Sequence, residues 1–275
     1  MADLRLTIGE LGFAVGVAST LDRGLGLVRS QLGITSESEA RTVLTTSGHS
    51  LVARELVASG TKALTLAPAL QPIAEIVAAA QWTLRLVRTL GKRAEVLAFH
   101  LAPAGVVARA ADGEVVHRVA TVPGVAGLVA RAESFFDLPP LDDEPGVPLS
   151  RAAIDDLARL PEHADIAAAL RARGAPDRVA APFAAALAAP RWRGTVARIH
   201  TPRHEHPRIT TMIALVAGGQ RWMIENREPD TAVLGLGSRQ RFAAAIKTIL
   251  RTLDATTRSF DRAGELAAPP LAEAG

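Results

Sequence analysis

The chain contains no cysteine and no tyrosine, and aromatic residues make up only 4% of its 275 residues. The missing cysteines exclude disulfides, thiolate metal sites and cysteine nucleophiles. Long apolar runs are missing as well. Uncharged stretches such as Leu11 to Leu21 and Ala63 to Ala74 stop short of the roughly 18–20 apolar residues that cross a bilayer. No basic segment precedes the first apolar stretch, and Asp3 and Glu10 flank the first arginine, so the start does not read as a secretory signal. Excess charge of one sign is small, with 31 Lys+Arg against 28 Asp+Glu and a formal net charge of +3. The high pI of 10.1 reflects arginine as most of the basic complement and no titrating Cys or Tyr, not a basic surplus. The expectation is a cytoplasmic protein with no nucleic-acid partner and no membrane insertion.

What is present is a globular composition, 48% hydrophobic and 21% charged, enough to bury a core. Leu4, Leu6 and Ile8 alternate as in a short strand. Leu11 to Leu32 has helical character weakened by Gly12, Gly16, Gly24 and Gly26, at up to about 1 kcal/mol each. Ser36 and Glu39 form a capping-box pattern that opens a helix to about Ser59, closed by Gly60. A second helix is expected from Ala69 to Gln81. From Trp82 the period changes to alternation. Strands are expected through Leu101, from Val106 and from Val115 to Val122, with Asp112-Gly113 as a hairpin turn, followed by a helix from Val125 to Phe136.

Residues 137–148, rich in proline and acid, read as a linker. The order of elements then repeats. Helical stretches run from Ser150 to Arg173, broken near Pro161, and from Asp177 to Ala189. Trp192 opens a second meander, which turns at Gly218-Gly219 and ends with a strand from Thr231 to Leu236. Ser238 caps a last helix, Arg239 to Leu253. The sequence thus predicts an N-terminal half, 1–136, a linker, 137–148, a C-terminal half, 149–253, and a disordered tail, 254–275. The class is α+β: a central antiparallel sheet of two meanders flanked by two helical bundles, with pseudo-twofold symmetry in one integrated domain. Pairing the meanders would cover open strand edges.

Few groups suggest chemistry. His200, His204 and His206 sit around Glu205 in a segment that is either a metal loop or a polar hairpin. Gly235 to Ser238 before Arg239 and Arg241 is either an anion-binding turn or a capped strand-to-helix turn. Ser47, His49 and Ser50 fall inside a helix with no nucleophile elbow, and read as a solvated helix face. Asp142, Asp143 and Glu144 are either paired carboxylates or a solvated linker. No Walker A or dinucleotide fingerprint occurs. The meanders are more informative. Arg85, Arg88, Arg109, His117 and Arg118 lie on the first, and Arg198, Arg221, Trp222, Met223, Glu225 and Arg227 on the second. Mixed Arg, Trp, Met and His on a sheet face matches the composition of protein-binding surfaces. Strand alternation makes Arg109, His117, Arg221, Trp222, Met223, Glu225 and Arg227 the candidate partner-binding residues. A register slip of one residue sends each to the opposite face.

The segments SGHSLVARELV, VARAADGEVVHRVATV and ALVAGGQRWMIENREPDTAVLGLGSRQRFAAAIKTIL, in this order, resemble the EspG family of type VII (ESX) secretion chaperones of actinobacteria. The resemblance covers about residues 36–253. It implies a non-enzymatic, cofactor-free cytoplasmic chaperone. Such a protein binds the hydrophobic tip of the PPE subunit in PE–PPE heterodimers, keeps it soluble and directs it to its secretion system. When free it is a monomer or homodimer. The alternative from the residues alone is a metal-dependent hydrolase using His200, His204 and His206.

Overall fold

The computed structural model describes residues 3–60, 63–111, 115–141, 145–160, 162–201, 207–228 and 230–253. Asp112-Gly113, the acids Asp142 to Glu144, His204 and His206, and the tail from 254 lie outside them. The chain opens with strand β1, Leu4–Thr7, and helices α1, Ile8–Ala18, α2, Leu21–Leu32, and α3, Glu37–Ala53. A small hairpin follows, β2, Val57–Ser59, and β3, Leu64–Leu66, then α4, Gln71–Ala79. The first meander is β4, Trp82–Leu90, β5, Arg93–Ala102, β6, Gly105–Ala111, and β7, Val116–Val122, and α5, Gly124–Phe136, closes this half. The second half contains β8, Val147–Ser150, α6, Arg151–Arg159, α7, His163–Ala172, and α8, Asp177–Ala188. Its meander is β9, Trp192–His200, β10, Arg208–Ala217, β11, Arg221–Glu228, and β12, Thr231–Leu236, followed by α9, Arg239–Arg251.

The fold is α+β. Ten antiparallel strands form one sheet in the order β1-β7-β6-β5-β4-β9-β10-β11-β12-β8. The meanders join through β4 and β9, with Trp82 opposite His200 and Thr89 opposite Arg193. Each meander therefore lends its inner edge to the other, and the outer edges carry the short strands β1 and β8.

The two faces of the sheet are covered differently. On one, Leu84, Leu86, Phe99, Val196, Ile213, Leu215 and Met223 pack beneath α5 and α9, which supply Leu128, Phe136, Phe242 and Ile246. Phe136 anchors this layer, with ring centroids 5.8 Å from Trp192 and 5.7 Å from Phe242. On the other face, Val107 and Val119 lie under α1 and α4, while Val216, Trp222 and Leu234 lie under α7 and α8. The two bundles cover the flanks of this face, and its middle carries exposed Arg85, Thr89, Arg193, Thr195 and Thr211.

The structure departs from the sequence expectations in several places. The glycine-rich stretch 11–32 is two helices, broken at Ser19 and capped anew by Thr20. Its glycines mark a close helix crossing: a Cβ on Gly24 would lie 2.5 Å from the Gly12 carbonyl oxygen. Gly24→Ala is therefore expected to destabilise by about 1–3 kcal/mol through overpacking. Gly26→Ala, which meets nothing within 4 Å, should stabilise by about 0.5–1 kcal/mol. Urea midpoints moving in opposite directions check the pair. The helix expected to reach Ser59 stops at Ala53, because Glu55 turns at a φ of 58° and Val57 enters the core as a strand. The linker expected through residue 148 ends as strand β8, paired to β12.

Candidate functional site

Strand register places the side chains of this face in rows that run from beneath the N-terminal bundle, where Val119, Val107, Ala98 and His100 are buried, to the exposed middle. One row runs Val119, Arg109, Ala98, Arg85, Ala197 and Thr211 across consecutive strands. A second runs Val107, His100, Thr83, Ile199 and Ile209. A third runs Val96, Val87, Thr195, Ala214 and Ile224. These rows hold no carboxylate. Their charge is arginine, and their remaining surface is alanine, threonine and branched aliphatic side chains, with Ile209 65% exposed.

Arg109 is the most constrained of these cations. Its Nη2 donates to Gln31 Oε1 on α2 at 2.7 Å, while its Nε is buried without a partner. Burial, then the charge of Arg85, pulls its pKa down to about 10. His100 is buried beside it, with Nδ1 3.3 Å from Thr83 Oγ1 and Nε2 unpartnered. Burial, reinforced by Arg109, pushes His100 down to about 3, so it is neutral near pH 7. His117, on the same face, is also lowered by burial and then by Arg109. Arg85 and Arg109 thus form no ion pair among the described residues, and perturbed pKa values such as these cluster at functional sites.

The expected binding residues separate. Arg109 and His117 lie half-buried on the face that α1 and α4 cover in part, Arg109 against Gln31 of α2. Trp222 and Met223 do not lie on the surface: they are 1% and 0% exposed. Adjacent strand residues point to opposite faces, so Trp222 enters the core beneath α8, its ring 5.8 Å from Phe183, and Met223 the core beneath α9. Glu225, expected outward, is 8% exposed and bonds to Arg227 at 3.1 Å. Arg221 reaches Asp137 at the end of α5. Arg221 and Glu225 share the register of Met223, and so belong to the helix-covered face, while Arg227 lies at the irregularity between Asn226 and Glu228 and is 57% exposed. The signal missed in the sequence was Arg85, whose alternation matches Arg109 across Ala98.

The other candidate residues that fall among the described ones act as supports. His200 stacks on Trp82 at 4.1 Å, and the described residues contain no cluster of His, Asp and Glu able to hold a metal. The Gly235 to Ser238 turn is a capped helix start, with Ser238 Oγ accepting from the Arg241 N–H at 3.1 Å. The Arg241 guanidinium fills the space a side chain on Gly235 would need. Ser47, expected solvated, is 8% exposed against Gly9 of α1, and Ser50 donates to Glu10 at 2.8 Å. The cleft lined by Arg5, Thr7, Glu10, Arg54 and Val116 is internally bonded. Glu10 accepts from the Thr7 N–H and from Arg54, each at 2.8 Å.

No helix among the described residues is long and apolar enough to cross a membrane. No curated protein matches the chain. Among solved structures, it is similar to the Mycobacterium tuberculosis type VII secretion system chaperone EspG5, in its complex with a PE25–PPE41 dimer. The TM-score is 0.67 at 12% sequence identity, over 93% of this chain and 98% of that chain. At that identity the likeness is one of fold, and the fold is EspG-like. The family model that matches, over residues 3–240, is described as Uncharacterised protein YfjC. With most of its length inside that model, the chain belongs to the YfjC family.

Proposed function

We propose that this protein is a non-catalytic, cofactor-free chaperone of the cytoplasm that binds PE–PPE heterodimers through the PPE tip and directs them to a type VII secretion system. The observation that carries the reading is the EspG-like fold, matched over nearly all of both chains to a protein held with a PE–PPE dimer. The open sheet face suits such a role. It offers aliphatic side chains to mask an apolar helix tip and cations to select among partners. The same reading takes residues 1–136 and 149–253 as pseudo-twofold halves of one domain, a view supported by a strand order that reads alike from both edges.

Co-expression with PE–PPE pairs encoded in the same genome tests the proposal. A 1:1:1 complex is expected on size exclusion with mass determination, burying roughly 1,200–2,000 Å² and lost when a charge is placed on the PPE tip. Elution of the chaperone alone beside every such pair would overturn it.

A further inference from the structure

Both outer edges of the sheet are closed, and one interior edge is left open. On the β1 edge, Arg54 Nη2 donates to the Arg5 carbonyl oxygen and the Thr7 N–H donates to Glu10, each at 2.8 Å. On the β8 edge, the Arg151 N–H bonds to the Asp230 carbonyl oxygen. Alternation from that pair turns Pro148 outward, where it has no N–H to offer. Such devices keep a sheet from adding strands. The start of β10 lacks them. β11 pairs with β10 from Ile213 to Ala217, and the ladder stops there, where irregularities interrupt β10 between Thr211 and Ile213 and β11 between Asn226 and Glu228. Arg208 to Thr211 stay paired to β9 on their other side, and all four are exposed. Asn226 Nδ2 reaches the Thr211 carbonyl oxygen at 2.9 Å, so the backbone of Thr211 faces away from β9. Alternation turns the N–H and carbonyl of Ile209 the same way, with no strand beside them among the described residues. Residues 209 to 211 are all β-branched, the type that suits a strand. Ile209 stands opposite Ile199 and Thr211 opposite Ala197, so this edge is continuous with the open face.

We propose that Ile209 to Thr211 is a strand-addition site: an extended segment of the protein partner pairs its backbone with Ile209 and lays an apolar side chain on Ile209 and Ile199. The inference rests on the chaperone reading and deepens it by giving the form in which part of the partner is held. Main-chain bonds supply affinity in such a ladder, and the side-chain seats supply selectivity. Asn226 sets the limit of the added strand, since it already takes the Thr211 carbonyl and β11 fills the place beyond. A second copy of this chain is the poorer occupant. A ladder this short covers far less than the roughly 1,200 Å² that a stable pair of proteins buries. It can hold only a chain that is also bound next to it. A partner on the open face meets that condition, and its local concentration makes the short ladder effective.

Ile209→Pro tests the site. It removes the outward N–H and leaves the bonds between β10 and β9 in place, because those use Arg208 and Thr210. Three quantities are read: the melting temperature of the free chain, the affinity for a purified PE–PPE heterodimer that the wild type binds, and hydrogen exchange at single amides with and without that heterodimer. The expected results are an unchanged melting temperature and an affinity at least about tenfold lower. The wild-type Ile209 amide should exchange freely in the chain alone and at least about tenfold more slowly in the complex. Ile209→Thr keeps the N–H and should lose less affinity than Ile209→Pro.

The outcomes separate. A wild-type chain that binds no PE–PPE pair sinks the chaperone reading itself. Wild-type binding with an unprotected Ile209 amide, or with Ile209→Pro at full affinity, sinks only the strand-addition site. An equal loss in Ile209→Thr makes the contact one of side chain alone and overturns strand addition. Should Ile209→Pro melt lower, the wild-type amide decides. A free chain that dimerises with its Ile209 amide protected, and loses both properties in Ile209→Pro, overturns the choice of occupant.

Discussion

Trp222→Ala is expected to lower stability by about 3–5 kcal/mol, the range for truncating a large buried aromatic. Trp222 is 1% exposed and stands edge-on to Phe183 of α8 in the core that joins the C-terminal bundle to the sheet. Removing it leaves a void between two layers that share little other aromatic packing. The urea midpoint reports the loss. The contrast is Arg227→Ala, whose side chain is 57% exposed and whose removal should change stability by no more than about 0.5 kcal/mol. Any loss of partner binding in Trp222→Ala then follows the folded fraction, and disappears when affinity is corrected for it. A Trp222→Ala chain that keeps its wild-type midpoint would contradict the burial on which this rests.

Trp222 also shows which properties were legible in the sequence. Alternation located every strand of both meanders, because a half-buried strand must sort its side chains with a period of two. The order of elements led to the expectation of two similar halves, and the edges left by each made the pairing of the meanders an expectation, which the β4–β9 ladder meets. What alternation cannot supply is the cover on each face. A sheet with one wet face would place Trp222 and Arg221 by polarity, but this sheet is covered over much of both faces. The polar-or-apolar rule therefore failed on β11, where every side chain from Trp222 to Glu225 is at least partly buried. Gly12 and Gly24 failed for a related reason. Their helix-breaking tendency is local, whereas the close approach of α1 and α2 that needs them is a tertiary contact. The juxtaposition of Arg85 and Arg109 is tertiary too, since it requires the register of β4, β5 and β6 together.

Acid should destabilise the free chain from near neutrality, well above the carboxylate range, and His100 is the cause. In the fold its pKa is lowered to about 3, first by burial and then by Arg109, from an ordinary value of 6.5. Below pH 6.5 the unfolded chain gains a proton on this ring that the native state does not accept. Stability is therefore full above that value and falls with decreasing pH, by about 1.4 kcal/mol per unit, until the folded pKa is reached. Near pH 5 the loss is about 2 kcal/mol. His117, also lowered, adds to the decline with the same sign. Glu10 acts in a separate window. Its burial would raise its pKa, but the Thr7 N–H, Ser50 and Arg54 together hold it below 4.5, so its contribution is intact above that pH and is lost only as pH falls through the lower folded value. Urea midpoints at neutral pH and near pH 5 should differ strongly for the wild type and much less for His100→Leu, which retains only the His117 part. An equal drop in both would remove His100 as the cause.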